Sequence, residues 1–390
     1  MTFSKTRRRV SRDADDGAVG RLRWFIGVLM GGLLFGRWEF LMRDRLPRAI
    51  LVSLAACLGV TACASGPASG AGAMHRAGAA SPALARWIKF KHIPAVLDLA
   101  SRGGDGSMFI AAAGRLFTLR PGGALTPYAR GPGGYLTARG PEPYIAVTGS
   151  QRVAGTRCSF GAGTIFALEP GKHPGIIRVG TDGRASRFAS VPATGLLTGV
   201  AFDGAGHFGH RLLVTSRSPS GVTTVLAFDC TGQVRMITRK APALEGGLAV
   251  APASFGRFGG DLIAPDERSG RVYAVRPDGT VLTLAASGLP HGGDIGVESA
   301  GFVPQGFGAS DGAYLADRLV PGNSHPGDDS LLRLPGPALI KSGARAGDLL
   351  VATEGSAKTV LIRCAAACTV KYIAFGPAVA HTEGHIIFAR

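Results

Sequence analysis

A unit of strand, polar loop, strand, Gly-containing turn and strand recurs along this chain, and no other feature limits its fold so strongly. Residues 211–237 read RLLVTSRSPSGVTTVLAFDCTGQVRMI and residues 260–284 read GDLIAPDERSGRVYAVRPDGTVLTL. In each, an apolar run is followed by a polar loop, a second apolar run, a turn with Gly (Gly232 or Gly279) and a third run. Gly supplies the positive φ that tight hairpin turns need. Related turns stand at Arg120 to Gly123, at Asp182 and Gly183 and, more loosely, at Pro335 and Gly336. A repeat of this size marks a propeller or solenoid.

A further apolar run precedes several of these triplets: YIAV at 144–147, GVAF at 199–202, GLAV at 247–250 and AGFV at 300–303. Four antiparallel strands make one propeller blade. Triplets beginning near Met108, Thr164, Arg211, Asp261, Ala313 and Asp348 predict an all-β, six-bladed propeller over residues 84–390. The last unit lacks a leading strand, so the final run at 385–389 is expected to close the ring by completing the first blade. Composition agrees, with 59 Gly, 24 Pro and only 18% charged residues, as short strands and tight turns require.

Ahead of the repeats, residues 42–63 place Arg43, Arg45 and Arg48 before an apolar run over 49–60, the layout of an export signal. That run is shorter than the roughly 20 residues of a membrane span. It ends in a sequence that resembles a lipobox, with Cys63 as the lipidated residue and Cys57 as the alternative. Residues 1–41 then read as an upstream extension from a start assigned too early, or as a twin-arginine leader, and 64–83 as a flexible small-residue tether. These features predict a membrane-anchored, extracytoplasmic, monomeric lipoprotein of a bacterial envelope. The formal charge of +17 is scattered without a basic stripe, which argues against a nucleic acid partner.

Four further cysteines suit an oxidising compartment. Cys364 and Cys368 flank a three-Ala turn and are expected to pair, and Cys158 is expected to bridge to Cys230 on the neighbouring blade; free thiols are the alternative.

Acidic residues recur where inner strands start (Glu142, Glu245, Glu298, Glu383) and where second strands end (Glu169, Asp266, Asp317, Glu354). Carboxylates crowded on one rim repel unless a cation or donors compensate. Calcium would serve, and so would strand capping with Arg268 and Arg318. Glu245-Gly246 and Glu383-Gly384 resemble the acidic-Gly openings of inner strands in the gluconolactonase and senescence-marker family of six-bladed propellers. That resemblance implies a divalent metal held by such acids and a lactone or ester substrate. His291 and Asp294, in HGGDIGVES, are candidates for the base that would accompany a metal. His207 and His210 fall in a loop on the opposite face and are not read as a metal pair. No Gly-x-Ser-x-Gly elbow, Walker loop or dinucleotide fingerprint is present, which argues against those enzyme classes. Two functions stand at this point: binding of a small molecule, carbohydrate or envelope protein on the acidic face, or calcium-dependent hydrolysis.

Overall fold

The computed structural model describes residues 83–129, 143–192 and 195–390. The order of elements begins with two short strands, β1 (Ala85–Arg86) and β2 (Ile88–His92). Four antiparallel four-stranded sheets follow in chain order. The first holds β3 (Val96–Ser101), β4 (Met108–Ala112), β5 (Arg115–Leu119) and β6 (Leu125–Pro127). The second holds β7 (Ile145–Val147), β8 (Ile165–Glu169), β9 (Gly175–Val179) and β10 (Ala185–Ser190). The third holds β11 (Leu196–Phe202), β12 (Leu212–Arg217), β13 (Thr223–Phe228) and β14 (Val234–Ala241). The fourth holds β15 (Ala249–Val250), β16 (Leu262–Asp266), β17 (Arg271–Val275) and β18 (Val281–Ala286).

The remaining strands are β19 (Val297–Phe302), β20 (Gly312–Asp317), β21 (Ser330–Pro335), β22 (Leu349–Thr353), β23 (Thr359–Cys364), β24 (Cys368–Phe375) and β25 (Thr382–Ala389), with a short helix α1 (Gly336–Lys341) between β21 and β22. They join β1 and β2 in one nine-stranded sheet of order β1-β24-β23-β22-β19-β25-β20-β21-β2.

Burial explains the sequence of each strand by its depth. The second strands β4, β16, β20 and β22 are buried at every residue, so both faces pack against neighbouring sheets and their sequences are apolar up to a polar last residue in β16, β20 and β22. The outer strands β10 and β14 are largely exposed and carry Arg, Ser and Lys between apolar residues. The turns repeat one device. Asp229 Oδ1 accepts the Thr231 and Gln233 N–H groups at 2.9 and 3.0 Å, and Asp278 Oδ1 accepts Thr280 N–H at 2.9 Å. Gly232 and Gly279 follow at φ +84° and +88°. A short acceptor side chain bonds the backbone two residues on, and Gly takes the left-handed position.

The expectation of a six-bladed closed propeller is corrected by this connectivity. The protein has a propeller-like arrangement of four four-stranded sheets and a separate nine-stranded sheet. The first sheet is complete without the C-terminus, because the run VLDLAS forms its leading strand β3. Strand β25 instead pairs with β20, while β19, placed in the sequence before the Ala313 triplet, pairs with β22. The two inner strands are joined in parallel at Ala300 and His385. The loose turn at Pro335 and Gly336 is another point of difference. Pro337 lies in the first turn of α1, where its missing N–H costs no hydrogen bond, and the chain starts a helix instead of a hairpin. The place beside β21 is taken by β2, antiparallel, from the other end of the chain.

Two disulfides are present, one between neighbouring sheets and one within a hairpin. Cys158 and Cys230 are bridged with Cα atoms 6.0 Å apart, and Cys364 is bridged to Cys368, its partner across the β23–β24 hairpin. Residues 1–82, which include Cys57, Cys63 and the tether, lie outside the described residues. The reading of a signal peptide and lipoprotein falls on those residues and has no support in the structure. Among the described residues no helix is long and apolar enough to cross a membrane.

Candidate functional site

The inner strands β3, β7, β11, β15, β19 and β25 surround one axis. Their later residues, among them Leu99, Val147, Phe202, Val250 and Ile387, line an apolar cavity of about 280 Å³. Near their starts β3, β19 and β25 carry Asp98, Glu298 and Glu383, and there the chemistry gathers.

Glu383, buried on β25, is the hub of that acidic end. Its Oε1 lies 3.1 Å from Arg318 Nη1 and 3.4 Å from His381 Nε2, and its Oε2 accepts the Tyr144 hydroxyl at 3.2 Å. The Tyr144 hydroxyl also stands 2.6 Å from Glu298 Oε1. His381 Nε2 is 2.7 Å from Glu354 Oε1, so one imidazole edge faces two carboxylates. On its backbone side, His381 N–H donates to Asp317 Oδ1 at 2.9 Å. Asp317 Oδ2 and His381 Nδ1 are both buried without a hydrogen-bond partner.

Glu354 belongs to a second group nearer solvent. Ligand-capable oxygens of Glu267, Asp294 and Glu354 lie within 4.8 Å of one another, as do the carboxylate oxygens of Glu354 and Glu383 and an imidazole nitrogen of His381. Glu267 and Glu354 are buried, while Asp294 is exposed. The loop before β19 folds back over β16, its Gly292 N–H donating to the Glu267 carbonyl at 2.9 Å and its Asp294 N–H to the Glu267 carboxylate. Asp294 adopts φ +64°, a left-handed conformation that Asp tolerates better than most residues.

Burial sets the protonation of this cluster. It raises the Glu354 pKa to about 8, against the His381 hydrogen bond and with the help of the Glu383 and Glu267 charges. Burial likewise raises Glu267, against hydrogen bonds from Asp294 and Glu354. Burial opposes a charged His381, but its hydrogen bonds to Glu354 and Glu383 outweigh that and raise it to about 10. Burial would also raise Glu383, and the His381 hydrogen bond with the Arg318 charge instead lowers it. At neutral pH the group therefore holds an imidazolium, an ionised Glu383 and a Glu354 with a proton to exchange.

A latch closes the axis just beyond. Asp98, buried on β3, accepts Ile145 N–H at 2.7 Å and His385 N–H at 2.8 Å, and its carboxylate meets His385 Nδ1 at 2.9 Å. The far ring nitrogen, Nε2, is 3.1 Å from the Val200 carbonyl. Burial works against the His385 cation, but Asp98 raises its pKa. The residue pins three strands together.

The acidic positions read from sequence thus divide. Glu298, Asp317, Glu354 and Glu383 converge, and Asp294 joins them through Glu267. Glu245 is close to the axis but pairs with Arg217. Asp266 caps its own turn, accepting Arg268 N–H at 3.1 Å and the Ser269 hydroxyl at 2.6 Å. Glu169 pairs with Arg187 at the sheet edge. His291 is an exposed loop residue beside Gly270, outside both groups. Glu142 lies outside the described residues. Sequence reasoning missed Glu267, His381, Tyr144, Asp98 and His385. Glu267 and His381 sit one residue beyond the ends of β16 and β25, just past the positions that strand counting singles out.

The Gly residues of the two acidic-Gly pairs have a structural cause of their own. Gly246 and Gly384 have φ of +77° and +70°. A Cβ at Gly246 would lie 2.3 Å from Glu298 Cγ, and one at Gly384 would lie 2.2 Å from Asp98 Oδ1. Each Gly opens an inner strand where an acid of the adjacent strand fills the space a side chain would need.

No family model matches the chain, and no curated protein matches it. Solved structures resemble it weakly. A streptogramin B lyase is 11% identical, with a TM-score of 0.40 over 78% of this chain and 93% of that one. Regucalcin from Agrobacterium tumefaciens strain C58, a calcium-binding protein, is 12% identical, with a TM-score of 0.35 over 61% and 74%. A protein of unknown function from Bacteroides thetaiotaomicron VPI-5482 is 12% identical with a TM-score of 0.38, and this chain spans only 57% of its length. At these values the resemblances assign neither family nor activity. Membership of the gluconolactonase and senescence-marker family, expected from the two acidic-Gly pairs, is corrected accordingly.

Proposed function

We propose that the chain is a divalent-cation-dependent hydrolase of lactone or ester bonds in small molecules, working at its acidic end. The observation that carries this reading is the convergence of Glu267, Asp294 and Glu354 around one point, with His381 held against Glu354. Three carboxylates so close must either keep protons, as the raised pKa values of Glu354 and Glu267 allow, or take a cation among them. The donor set is all oxygen, which suits calcium or magnesium, and exposed Asp294 offers the entry. The Glu354, His381 and Glu383 group fits a metal less well, because the imidazole nitrogen facing the acids is already hydrogen-bonded to them.

A bound divalent cation would polarise the substrate carbonyl. The protein's own residues handle the protons. Glu354, held at 2.7 Å by His381, is the group placed for general acid–base work: its ionised form would take the proton of the attacking water as that water adds to the carbonyl carbon. The carbon–oxygen bond then breaks, and the same proton passes to the leaving oxygen. His381 and Glu383, fixed by Arg318 and Tyr144, hold Glu354 in place and share its proton.

The test is hydrolysis of γ- and δ-lactones and a p-nitrophenyl ester by the full chain with calcium or with EDTA. Chelation is expected to abolish turnover, and Glu354→Gln to lower it by ~100-fold or more, the usual worth of a general acid or base. If calcium binds and no lactone or ester is cleaved, the acidic end is a cation-dependent ligand site instead. Two disulfides favour an extracytoplasmic location for either role.

A further inference from the structure

A second pocket lies at the ends of β11 and β13, away from the strand starts that carry the acids. It has a volume of about 260 Å³, and its lining includes Ala154, His207, Gly209, Arg211, Arg235 and Pro277, with no carboxylate among the lining residues. The loop carrying His207 is fixed from below. Buried Asp203 accepts the N–H groups of Gly206, Phe208 and His210 at 2.8, 2.7 and 2.9 Å, which spends its charge on the backbone. The His207 ring lies against Gly260, where a Cβ would come within 2.0 Å of Nδ1.

The opposite wall is built just as firmly. Ala154 N–H donates to the Gly209 carbonyl at 2.9 Å, and the Cys158–Cys230 bridge ties the same loop to the β13–β14 turn. Each arginine is braced by one carbonyl, Arg211 Nη2 by Ala154 at 3.3 Å and Arg235 Nη2 by Pro277 at 3.0 Å. A guanidinium has five N–H donors in a fixed fork, so a single brace orients it and leaves donors for a ligand. Two acids lie nearby: Asp229, whose Oδ1 is held by its turn, feels the Arg211 charge, and Asp261, 3.8 Å from Arg276, feels His207, but neither lines the pocket.

We propose that this pocket binds a small oxyanion of the phosphate type, gripped by Arg211 and Arg235 with His207 as the third contact. Two planar forks around a pocket of this size match the tetrahedral oxygens of phosphate, which arginine recognises in bidentate fashion. The site is independent of the acidic end. It would serve a free anion or the phosphorylated end of a larger molecule.

Isothermal titration of the full chain with inorganic phosphate tests this, in EDTA so that a cation site stays silent and at ionic strength fixed with sodium chloride. Saturable one-site binding is expected, weakened at least tenfold in the double variant Arg211→Gln, Arg235→Gln. Ala154→Glu, which places a carboxylate at an exposed position on the pocket wall and leaves both arginines, should weaken it similarly. Absence of saturable heat overturns the proposal. So does unchanged affinity in either variant with a native near-ultraviolet spectrum; if the double variant fails to fold, Ala154→Glu decides.

Discussion

At the scale of single residues, the protein keeps charge at low exposure and balances it locally. Asp261 is the clearest case of incomplete balance. Burial raises its pKa to about 6 against the pull of Arg276, and its Oδ2 has no hydrogen-bond partner. A carboxyl whose folded pKa lies above its unfolded value favours the protonated native state. Its penalty is absent below pH 3.8, grows as pH rises through about 6 and is constant above. Asp261→Asn is therefore expected to narrow the difference in melting temperature between pH 5 and pH 8, measured by circular dichroism. An unchanged difference would show that Asp261 titrates normally. The sequence made Glu354, Glu383 and Glu298 legible because strand starts and ends place side chains by simple counting, while Asp294 stood out only in its Gly-rich loop motif. It hid Glu267 and His381, since their places depend on how a loop folds back over β16 and how β25 begins, which no local pattern records.

At the scale of elements, the acidic-Gly pairs and the disulfides carry separate predictions. Gly384→Ala must accommodate a Cβ against Asp98 at a left-handed φ, and Gly246→Ala one against Glu298. Backbone strain alone costs about 1–3 kcal/mol at such positions. Urea denaturation should show losses at least that large, whereas Gly204→Ala, with open space around it and no left-handed φ, should be near neutral. The disulfides differ in loop length, with separations of 72 and 4 residues. Chain entropy assigns about 4 kcal/mol to the longer loop and about 2 kcal/mol to the shorter. Cys158→Ser with Cys230→Ser should thus destabilise more than the pair at 364 and 368. The hairpin turns and strand triplets were legible, because Asp-x-Gly chemistry and apolar runs are local. The pairing of β19 with β22 and of β25 with β20 was not. Several apolar inner strands are interchangeable by composition, and only the packing of the whole sheet chooses between them.

At the scale of the molecule, segments far apart in sequence finish one another's sheets. Strand β2 completes the edge beside β21, and β1 runs parallel to β24. Trp87 between them is 3% exposed, and its indole N–H donates to Thr359 Oγ1 at 2.8 Å. Trp87→Ala is expected to cost about 3–5 kcal/mol in chemical denaturation. A loss below 1 kcal/mol would mean that this edge contributes little to the fold. Where β16 and β22 end and β19 is about to begin, the fold brings Glu267, Asp294 and Glu354 together from three separate segments. Its function rests on one measurement, calcium titration of the chelator-treated full chain by calorimetry, with Glu354→Gln and Asp294→Asn alongside. One calcium per chain is expected, with binding weakened at least tenfold in both variants while the far-ultraviolet spectrum stays native. A chain that takes up no calcium, or whose affinity is the same in Glu354→Gln, would contradict a cation-dependent site at the acidic end.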